Sequence, residues 1–432
     1  MKQGCLWLVV VLLVCLFVGC DTQKAVPDTD NPIDAVLMQD GQCLYTIVRS
    51  ADASESLVRA MIDFNKAINT KTGTTLPIST DSDAPADGAK EILIGDTNRP
   101  ETAAVREQLP KNGYAVTIQN DQVVILGTDD YALMLGLHAF YDNVVRNQEQ
   151  AGYLSMSADD IAIHPVDENI LLSDVITMGG KVQTECEYRF AIELPNEELQ
   201  TTYHVAQGAA SDGTFGYFLQ RNADDSGTVI AKYRMEDAAL VATSSVLALG
   251  HGNGMAYDPK RDCLLVTDGI RQTNVLWFVD PDTLTVTETI KLPKTAQGIA
   301  VHPSTGDYVI HTRNDFWVLD GDFQVKTSCS RKNVESSYGT QSVWADERYI
   351  YFPMSGKKSK GKTDCILEVY DWDGNYVTRV TVPVAEEIEA LFMANGRYYA
   401  NFNRTGDSVD EVYELTKFSL ASFVVKDRID EQ

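Results

Sequence analysis

The fold of most of this chain is decided by residues 254–291, which read GMAYDPKRDCLLVTDGIRQTNVLWFVDPDTLTVTETIK. Four short apolar runs follow one another, and each is rich in β-branched and aromatic side chains. Turn formers separate them, including Asp258-Pro259 and Asp280-Pro281-Asp282. Runs of this length, bounded by turn residues, are typical of antiparallel strands joined by tight connections. The segment predicts one four-stranded antiparallel sheet.

The same pattern recurs along residues 206–425, as in GIAVHPSTGDYVIHT with DFWVLDGDFQVKTS. Each copy opens on an amide or acid followed by a small residue, and these positions are spaced by 46, 44, 44 and 48 residues. The five opening residues are Gln207, Asn253, Gln297, Gln341 and Glu389. Four strands in 40–50 residues is the period of a β-propeller blade. The sequence predicts an all-β propeller over residues 166–432 with five blades, and residues 166–205 supply either a closing strand or a sixth blade.

Residues 41–165 show a different pattern, in which strands alternate with helices. Apolar residues spaced four, three and four apart follow Ser54, which predicts a helix with Ser54 as its N-cap and Gly73 at its end. Buried strands are predicted at 91–95 and in a hairpin at 114–127, and a final helix follows from 131 to 145. The predicted fold class is therefore α+β and multi-domain, with a small α/β sandwich domain preceding the propeller.

Two stretches of the first domain, EILIGDTNRPE and NGYAVTIQNDQVVILGTDDYALMLGLHAFYDNV, carry a resemblance to a known family. They resemble the N-terminal α/β domain that precedes the catalytic barrel in glycoside hydrolases of families 20 and 67. In those enzymes the domain is non-catalytic and packs beside the barrel. No (β/α)₈ barrel follows in this sequence, so the paired carboxylates of a glycosidase have no counterpart here. The resemblance implies a carbohydrate context rather than glycoside hydrolysis.

The N-terminus has the pattern of a bacterial targeting segment. Lys2 is followed by an apolar run, Cys5–Val18, which is shorter than a membrane-spanning helix needs. The run ends at Gly19-Cys20, which resembles a lipobox and implies lipidation of Cys20 after removal of residues 1–19 as a signal peptide. The alternative is an ordinary secretory signal with a coincidental cysteine. Residues 20–40 are expected to be a lipidated tether, so the predicted location is extracytoplasmic on a bacterial cell membrane, held through a lipid anchor only.

Charge excludes one class of partner. Asp and Glu number 62 against 36 Lys and Arg, which gives a formal net charge of −26. Nucleic-acid binding needs a dense basic face to neutralise phosphates, so no nucleic-acid partner is expected.

The opening residues of the five repeats are the candidate ligand site. In a propeller the innermost strands surround a central channel, so Gln207, Asn253, Gln297, Gln341 and Glu389 are expected to converge at its mouth, with His251 beside them in a glycine-rich segment. Amides arranged this way can hydrogen-bond sugar hydroxyls. The alternative is a structural role, in which they satisfy backbone groups between blades.

Two functions follow from these patterns. The favoured one is a non-catalytic surface binding protein that recognises carbohydrate or a carbohydrate-bearing partner, with no cofactor and no catalytic residues. Asn253-Gly254 also resembles the lactonase and regucalcin type of propeller, in which an Asn helps to hold a divalent metal. The rival function is therefore a metal-dependent lactonase- or lyase-like enzyme that uses calcium and is centred on His251, Asn253 and Glu389.

Overall fold

The structure of the protein is a computed structural model, and it describes residues 35–166, 170–269, 273–331, 338–357, 363–404, 409–420 and 422–425. The predicted signal peptide and the proposed lipidation site, Cys20, lie outside these described residues. Within the described residues, no helix is both long and apolar enough to cross a membrane.

The first domain is an α/β layer structure built on a six-stranded mixed sheet. Its elements in chain order are β1 (Ala35–Gln39), β2 (Gln42–Cys43), β3 (Thr46–Arg49), α1 (Glu55–Thr72), β4 (Ile78–Thr80), β5 (Glu91–Ile94), α2 (Pro100–Arg106), β6 (Gly113–Gln119), β7 (Gln122–Gly127), α3 (Asp130–Phe140) with a π-helical continuation (Tyr141–Val145), β8 (Leu154–Met156), a 3₁₀ turn (Ala158–Asp160) and β9 (Ala162–Pro165). The large sheet has the order β4-β3-β5-β7-β6-β9, and β2-β1-β8 form a small second sheet.

Helix α1 forms where the apolar spacing predicts it. The Ser54 side chain accepts a hydrogen bond from the Leu57 backbone N–H at 3.2 Å, which caps the N-terminus. Met61, Phe64 and Ile68 are buried on one face of the helix. Gly73 then adopts a φ of 75°, the left-handed conformation that ends many helices because glycine has no Cβ to clash.

The hairpin between β6 and β7 is set by its two turn residues. Asn120 and Asp121 have φ values of 49° and 61°. Two successive positive φ values match the twist of the flanking strands, and Asn and Asp tolerate them better than most residues do. The predicted hairpin is confirmed.

One sequence-based boundary differs from the structure. The expected tether, residues 20–40, includes residues 35–39, but these form strand β1, which pairs with β8. Leu37 and Met38 of this strand are fully buried in the core of the α/β domain. Their burial removes apolar surface from water, so this segment folds with the domain although the residues before it are polar.

The second part of the chain is almost entirely β-structure. Its elements are α4 (Leu172–Thr177), β10 (Val182–Ile192), α5 (Glu197–Thr202), β11 (Val205–Ser211), β12 (Phe215–Arg221), β13 (Thr228–Arg234), β14 (Ala239–Thr243), β15 (Gly254–Asp258), β16 (Cys263–Thr267), β17 (Val275–Val279), β18 (Val286–Lys291), β19 (Gly298–Val301), β20 (Tyr308–His311), β21 (Asp315–Leu319), β22 (Val325–Ser330), β23 (Tyr338–Thr340), β24 (Trp344–Ala345), β25 (Tyr349–Lys357), β26 (Thr363–Asp371), β27 (Tyr376–Val382), β28 (Glu387–Ala394), β29 (Arg397–Asn403) and β30 (Asp410–Leu420).

These strands form a β-propeller, as the sequence predicts. Within the described residues five blades are present, and three of them are the separate four-stranded sheets β11–β14, β15–β18 and β19–β22. The fourth blade contains β24–β27, with β23 also pairing with β25. The innermost strands are β11, β15, β19, β24 and β28, and β28 packs against β11 to close the ring.

The fifth blade takes its outer strand from the start of the propeller sequence. Strand β10 pairs antiparallel with β30, from Val182 opposite Leu420 to Ile192 opposite Asp410. Residues 166–205, which the sequence assigns either to a closing strand or to a sixth blade, therefore supply the closing strand β10. For two residues β10 also pairs parallel with β27, which makes the fourth and fifth blades continuous.

The small residue after each opening residue has a steric explanation. A Cβ placed on Gly254 would lie 2.4 Å from the Cα of Gly298 on the next inner strand. A Cβ on Gly298 would lie 2.5 Å from Nε2 of the buried His311. The next inner strand at Gly254, and the second strand of the same blade at Gly298, thus leave no room for a side chain at these two positions.

The two parts of the chain share one hydrophobic core. Phe64 of α1 makes an edge contact with Phe423, whose ring centroid is 5.4 Å away, and Phe423 follows the last propeller strand. Helix α4 lies at the same junction, where the Leu172 backbone N–H donates to the Tyr398 hydroxyl at 3.1 Å. These contacts fix the α/β domain against the fourth and fifth blades.

Candidate functional site in the central cavity

A small cavity of about 240 Å³ lies at the propeller axis, where the innermost strands begin. The structure brings all six predicted site residues together around it, namely Gln207, His251, Asn253, Gln297, Gln341 and Glu389. Each comes from the opening of a different blade, apart from His251, which lies two residues before Asn253. Because the five opening residues occupy equivalent positions in the repeat, their side chains form a ring of polar groups around the cavity.

Two of these residues occupy β-bulges. The pairing of β11 with β12 shifts register between Ala206 and Ala209, so Gln207 lies in the irregular stretch. Between Ile388 and Ala390 the pairing of β28 with β29 shifts in the same way, and Glu389 is the unpaired residue. A bulge redirects the side chain of the extra residue and is common beside functional sites. Here both bulges place a polar side chain at the cavity.

Asn253 and Gln341 connect the second and fourth blades across the axis. The Asn253 side-chain amide donates a hydrogen bond to the backbone carbonyl of Gln341. The Gln341 side-chain amide donates to the carboxylate of Glu387 on the fifth blade. These two hydrogen bonds hold part of the ring in place. The bond from Asn253 to a backbone carbonyl agrees with the alternative in which the opening residues satisfy backbone groups between blades.

Other polar atoms of the wall have no such partner. The side-chain Oε1 atoms of Gln207 and Gln297 are buried without a hydrogen-bond partner among the described residues, and so is Nε of Arg221. An unsatisfied buried polar atom costs about 1–3 kcal/mol. The three residues that carry these two acceptors and one donor all line the central cavity.

Glu389 has an unusual electrostatic environment. Burial raises the pKa of its carboxyl well above the usual range, and the nearby Glu387 and Asp410 carboxylates raise it further. Burial also raises the pKa of Asp410, to about 7. A protonated Glu389 carries an O–H donor and an acceptor oxygen, and in that form it resembles the amides at the other openings.

His251 is held in place from two sides. Its Nδ1 lies 3.0 Å from Asp225 Oδ1, and its backbone N–H donates to Asp268 Oδ1 at 2.9 Å. Burial and the neighbouring Arg221 cation lower the pKa of the imidazole. The neutral form therefore dominates at pH 7, and His251 adds another uncharged polar group to the cavity wall.

Sequence reasoning missed five residues that also line the cavity, namely Arg221, Gly269, Thr340, Glu387 and Asn403, and two of these, Arg221 and Glu387, have ionisable side chains. They make the wall less neutral than the opening residues alone suggest. Arg221 and Asn403 end the second strands of their blades, and Arg221 pairs with Val205 while Asn403 pairs with Glu387. In an antiparallel pair the end of one strand lies beside the start of the other. The last residue of the second strand in each repeat is therefore the sequence position from which Arg221 and Asn403 could have been predicted.

The rival function requires a group of side chains that can hold a metal ion. Among the described residues, no group of three or more His, Cys, Asp or Glu side chains is arranged to hold a metal ion. His251, Asn253 and Glu389 do line the same cavity. Four of the eight other lining residues are amides, and the Asn253 side chain donates to the Gln341 carbonyl.

Comparison with known proteins gives no family assignment. No family model matches the chain, and no curated protein matches it. Among solved structures, hydrazine synthase of Kuenenia stuttgartiensis is similar at 14% identity and a TM-score of 0.30, over 49% of this chain and 60% of that one. A member of the DUF4221 family from Bacteroides vulgatus is similar at 11% identity and a TM-score of 0.37, over 56% of this chain and 99% of that one.

BamB from Moraxella catarrhalis is a third similar structure, at 10% identity and a TM-score of 0.26, over 48% of this chain and 85% of that one. Of the hydrazine synthase chain, the matched part of this chain covers less than two thirds. Because all three TM-scores are below 0.5, the propeller is assigned from the strand pairing of this chain itself.

Proposed function

We propose that this chain is a lipid-anchored extracytoplasmic binding protein that recognises carbohydrate, or a partner that carries carbohydrate, in the central cavity of its propeller. The observation that carries the proposal is that three residues lining one cavity carry buried polar atoms without a partner among the described residues, Oε1 of Gln207, Oε1 of Gln297 and Nε of Arg221. A ligand that both donates and accepts hydrogen bonds would satisfy them.

Sugar hydroxyls have this dual character. Each hydroxyl donates one hydrogen bond and accepts up to two, so neighbouring hydroxyls can meet an amide oxygen and a guanidinium N–H together. The raised pKa of Glu389 supports the same chemistry, because a neutral carboxyl avoids placing a full negative charge against an uncharged ligand. His251 contributes a neutral imidazole.

The size of the cavity limits the ligand. Its volume of about 240 Å³ is below the range of about 300–1,000 Å³ that is usual for drug-sized ligands. We therefore propose that it holds a single sugar residue, such as the end of a glycan chain, rather than an internal stretch of a polysaccharide.

Two features of the sequence support this biological context. The first domain resembles a non-catalytic domain of glycoside hydrolases, and Gly19-Cys20 resembles a lipoprotein processing site. Diacyl attachment at Cys20 would give stable anchoring where a single acyl chain gives only marginal binding. A surface protein with such an anchor would hold a captured glycan at the membrane.

The binding proposal is tested with the full-length chain, purified in non-ionic detergent and applied to a glycan array. We expect binding to glycans that share one terminal sugar. Replacing Gln297 and Gln341 together by Ala should abolish the signal, because this removes an unpartnered acceptor and the side chain that supports the Glu387 wall. The matched control replaces the exposed Gln150 and Gln324 by Ala and should bind like the wild type.

Metal analysis of the same preparation separates the rival function. A stoichiometric calcium ion that is lost in Asn253→Ala would overturn the binding proposal in favour of a metal-dependent enzyme. An array without signal, together with no bound metal, would also overturn it and would leave a protein-binding scaffold.

Location is tested separately. Cys20→Ala should leave the chain unlipidated, so that it is released from the membrane fraction or remains unprocessed. Mass spectrometry of the wild-type N-terminus should show a lipid on Cys20. An unmodified Cys20 in a membrane-associated wild type would contradict the proposed anchor.

A further inference from the structure

The charges around the central cavity do not balance, although most of its opening residues are amides. Two of the lining side chains are carboxyl groups, Glu387 and Glu389, and one is a cation, Arg221. Asp225 lies 3.1 Å from Arg221, and Asp410 is close enough to Glu389 to raise the pKa of its carboxyl. In this part of the described chain, at least four carboxyl groups therefore lie around one guanidinium group.

The charge of Arg221 is already matched. Its Nη1 lies 3.1 Å from Asp225 Oδ1, and the same atom donates to the backbone carbonyl of Asn222 at 3.0 Å. The next cation along the chain from the lining residue Asn403 is Arg404, and its guanidinium lies 2.8 Å from the Glu411 carboxylate. Both guanidinium groups thus have a carboxylate partner of their own.

Glu387 is a lining carboxylate without a counter-charge. Its side chain accepts a hydrogen bond from the amide of Gln341, which is an uncharged group. No lysine or arginine that the structure describes forms an ion pair with it. Glu387 is half-buried at the start of β28. A carboxylate that has lost part of its hydration is stabilised by a cation placed beside it.

Glu389 adds no second charge in its protonated form. Burial raises the pKa of this carboxyl well above its usual range, and the charge of Glu387 raises it further. A protonated carboxyl donates one hydrogen bond and accepts others, as an amide does. The unmatched negative charge of the cavity wall is then that of Glu387.

A second, independent observation comes from Gln207. Its side chain lines the cavity and is only 4% exposed, and its Oε1 has no hydrogen-bond partner among the described residues. Its Nε2 donates to the Ala206 carbonyl at 2.6 Å, which fixes the orientation of the amide. Oε1 of Gln297, another lining residue, is likewise buried without a partner. Both of these atoms are acceptors, so a donor group is needed to satisfy them.

One carboxylate and two amide oxygens together favour a group that only donates hydrogen bonds. A primary ammonium group has three N–H donors, no acceptor and a positive charge, whereas a hydroxyl has one donor and no charge. A hydrogen bond from a cation to a carboxylate is roughly twice as strong as one between neutral groups. On a sugar, the substituent with these properties is a primary amine.

We propose that the sugar held in the central cavity is an amino sugar, whose ammonium group donates to the Glu387 carboxylate and to Oε1 of Gln207 and Gln297. The remaining hydroxyls of the ring contact the other amides of the wall. Glu387 is thus the residue that selects an amino sugar over a neutral one. The inference rests on the proposed function, because it names the class of sugar that the same cavity binds.

The test measures binding of matched monosaccharides to the full-length chain by isothermal titration calorimetry at low salt. The probes are the methyl glycosides of glucosamine, glucose and N-acetylglucosamine, which differ at one ring position only. The corresponding galactose series repeats the comparison with another stereochemistry. In at least one series we expect the amino sugar to bind at least tenfold more tightly than its two partners, which corresponds to about 1.4 kcal/mol. Its affinity should fall as salt is raised, because salt screens opposite charges.

A charge-removing variant locates the amino group. Glu387→Gln keeps an oxygen that can accept from Gln341 but removes the charge, so it should bind the amino sugar about tenfold more weakly. Its affinity for the neutral sugar should not change, which shows that the cavity is intact. The matched control, Glu288→Gln, removes an exposed carboxylate on the outer strand β18 and should bind like the wild type. Thermal unfolding of both variants reports on their folding.

The possible failures can be told apart. Equal or tighter binding of the hydroxyl or acetamido sugar by the wild type would overturn the inference and leave the proposed function standing. Equal affinity of Glu387→Gln and the wild type for the amino sugar would also overturn it, since the amino group would then lie elsewhere. If none of the six probes binds, the inference is wrong, and the glycan array decides the proposed function separately.

Discussion

The side chain of Asn253 reaches across the propeller axis to the backbone carbonyl of Gln341, and so joins the second blade to the fourth. The third blade lies between them in the chain and starts at Gly298. One hydrogen bond thus spans the inner ends of three consecutive blades. This contact limits the width of the channel and supports the wall of the central cavity.

Replacement of Asn253 should therefore affect stability as well as ligand binding. Asn253→Ala removes one hydrogen bond and should lower the free energy of unfolding by about 1–2 kcal/mol. Asn253→Asp should cost more at pH 7, because an ionised carboxylate would face a carbonyl oxygen near Glu387. Urea denaturation of the three proteins measures the order. Equal stability of both variants and the wild type would show that the bridge contributes nothing.

The close approach of inner strands gives a second prediction. Gly254→Ala should destabilise the protein by about 1–3 kcal/mol, because its Cβ would lie 2.4 Å from the Cα of Gly298 and neither backbone can move freely. Gly321→Ala is the control, since the nearest atom to its Cβ is 4.0 Å away. Thermal unfolding should show a lower midpoint for the first variant only. Similar midpoints for both would contradict the steric explanation of the repeat.

The Arg331 guanidinium lies 2.8 Å from the Glu368 carboxylate, and this buried ion pair predicts a strong effect of a small change. Glu368 and Arg331 are fully buried, so Glu368→Gln leaves a buried guanidinium without a counterion. We expect a loss of about 3–5 kcal/mol in the free energy of unfolding. Asp237→Asn breaks the exposed pair with Arg234 and should cost less than about 1 kcal/mol. Denaturant titration of both variants checks the contrast, and equal losses would refute it.

Stability should also depend on pH through Asp410. Burial raises the pKa of this carboxyl to about 7 in the folded state, whereas an unfolded Asp has a pKa of about 3.9. Between these values the unfolded chain loses its proton first, so the free energy of unfolding falls as pH rises from about 4 to about 7.

Asp410→Asn should flatten this dependence by up to about 4 kcal/mol between pH 4 and pH 8, because an amide does not ionise. The measurement is the free energy of unfolding at both pH values for the wild type and the variant. An unchanged difference between the two pH values in Asp410→Asn would show that this carboxyl is not responsible.

The sequence predicted the propeller because the signal is local and repeated. Gln207, Asn253, Gln297, Gln341 and Glu389 occupy equivalent places in a repeat, so symmetry alone brings them to one axis. The helix at 55–72 was predicted for a similar reason, since its cap and apolar spacing lie within one short segment. Both inferences need only neighbouring residues.

Other features depend on contacts between distant residues. The bulge at Glu389 depends on how β28 pairs with β29, and no residue type in β28 predicts it. The folding of residues 35–39 depends on a partner strand more than a hundred residues later. Sequence patterns cannot show such pairings, because they report local periodicity only.

The closing strand has a consequence for the order of events during biosynthesis. Strand β10 leaves the ribosome early, but its antiparallel partner β30 follows more than two hundred residues later. Contacts between such distant segments form slowly, because a long loop must close first. Until β30 arrives, β10 lacks its main partner, and unpaired strand edges invite association with other chains. The pairing that closes the ring can therefore form only after residues 410–420 have been synthesised, and any shorter chain exposes the edge of β10.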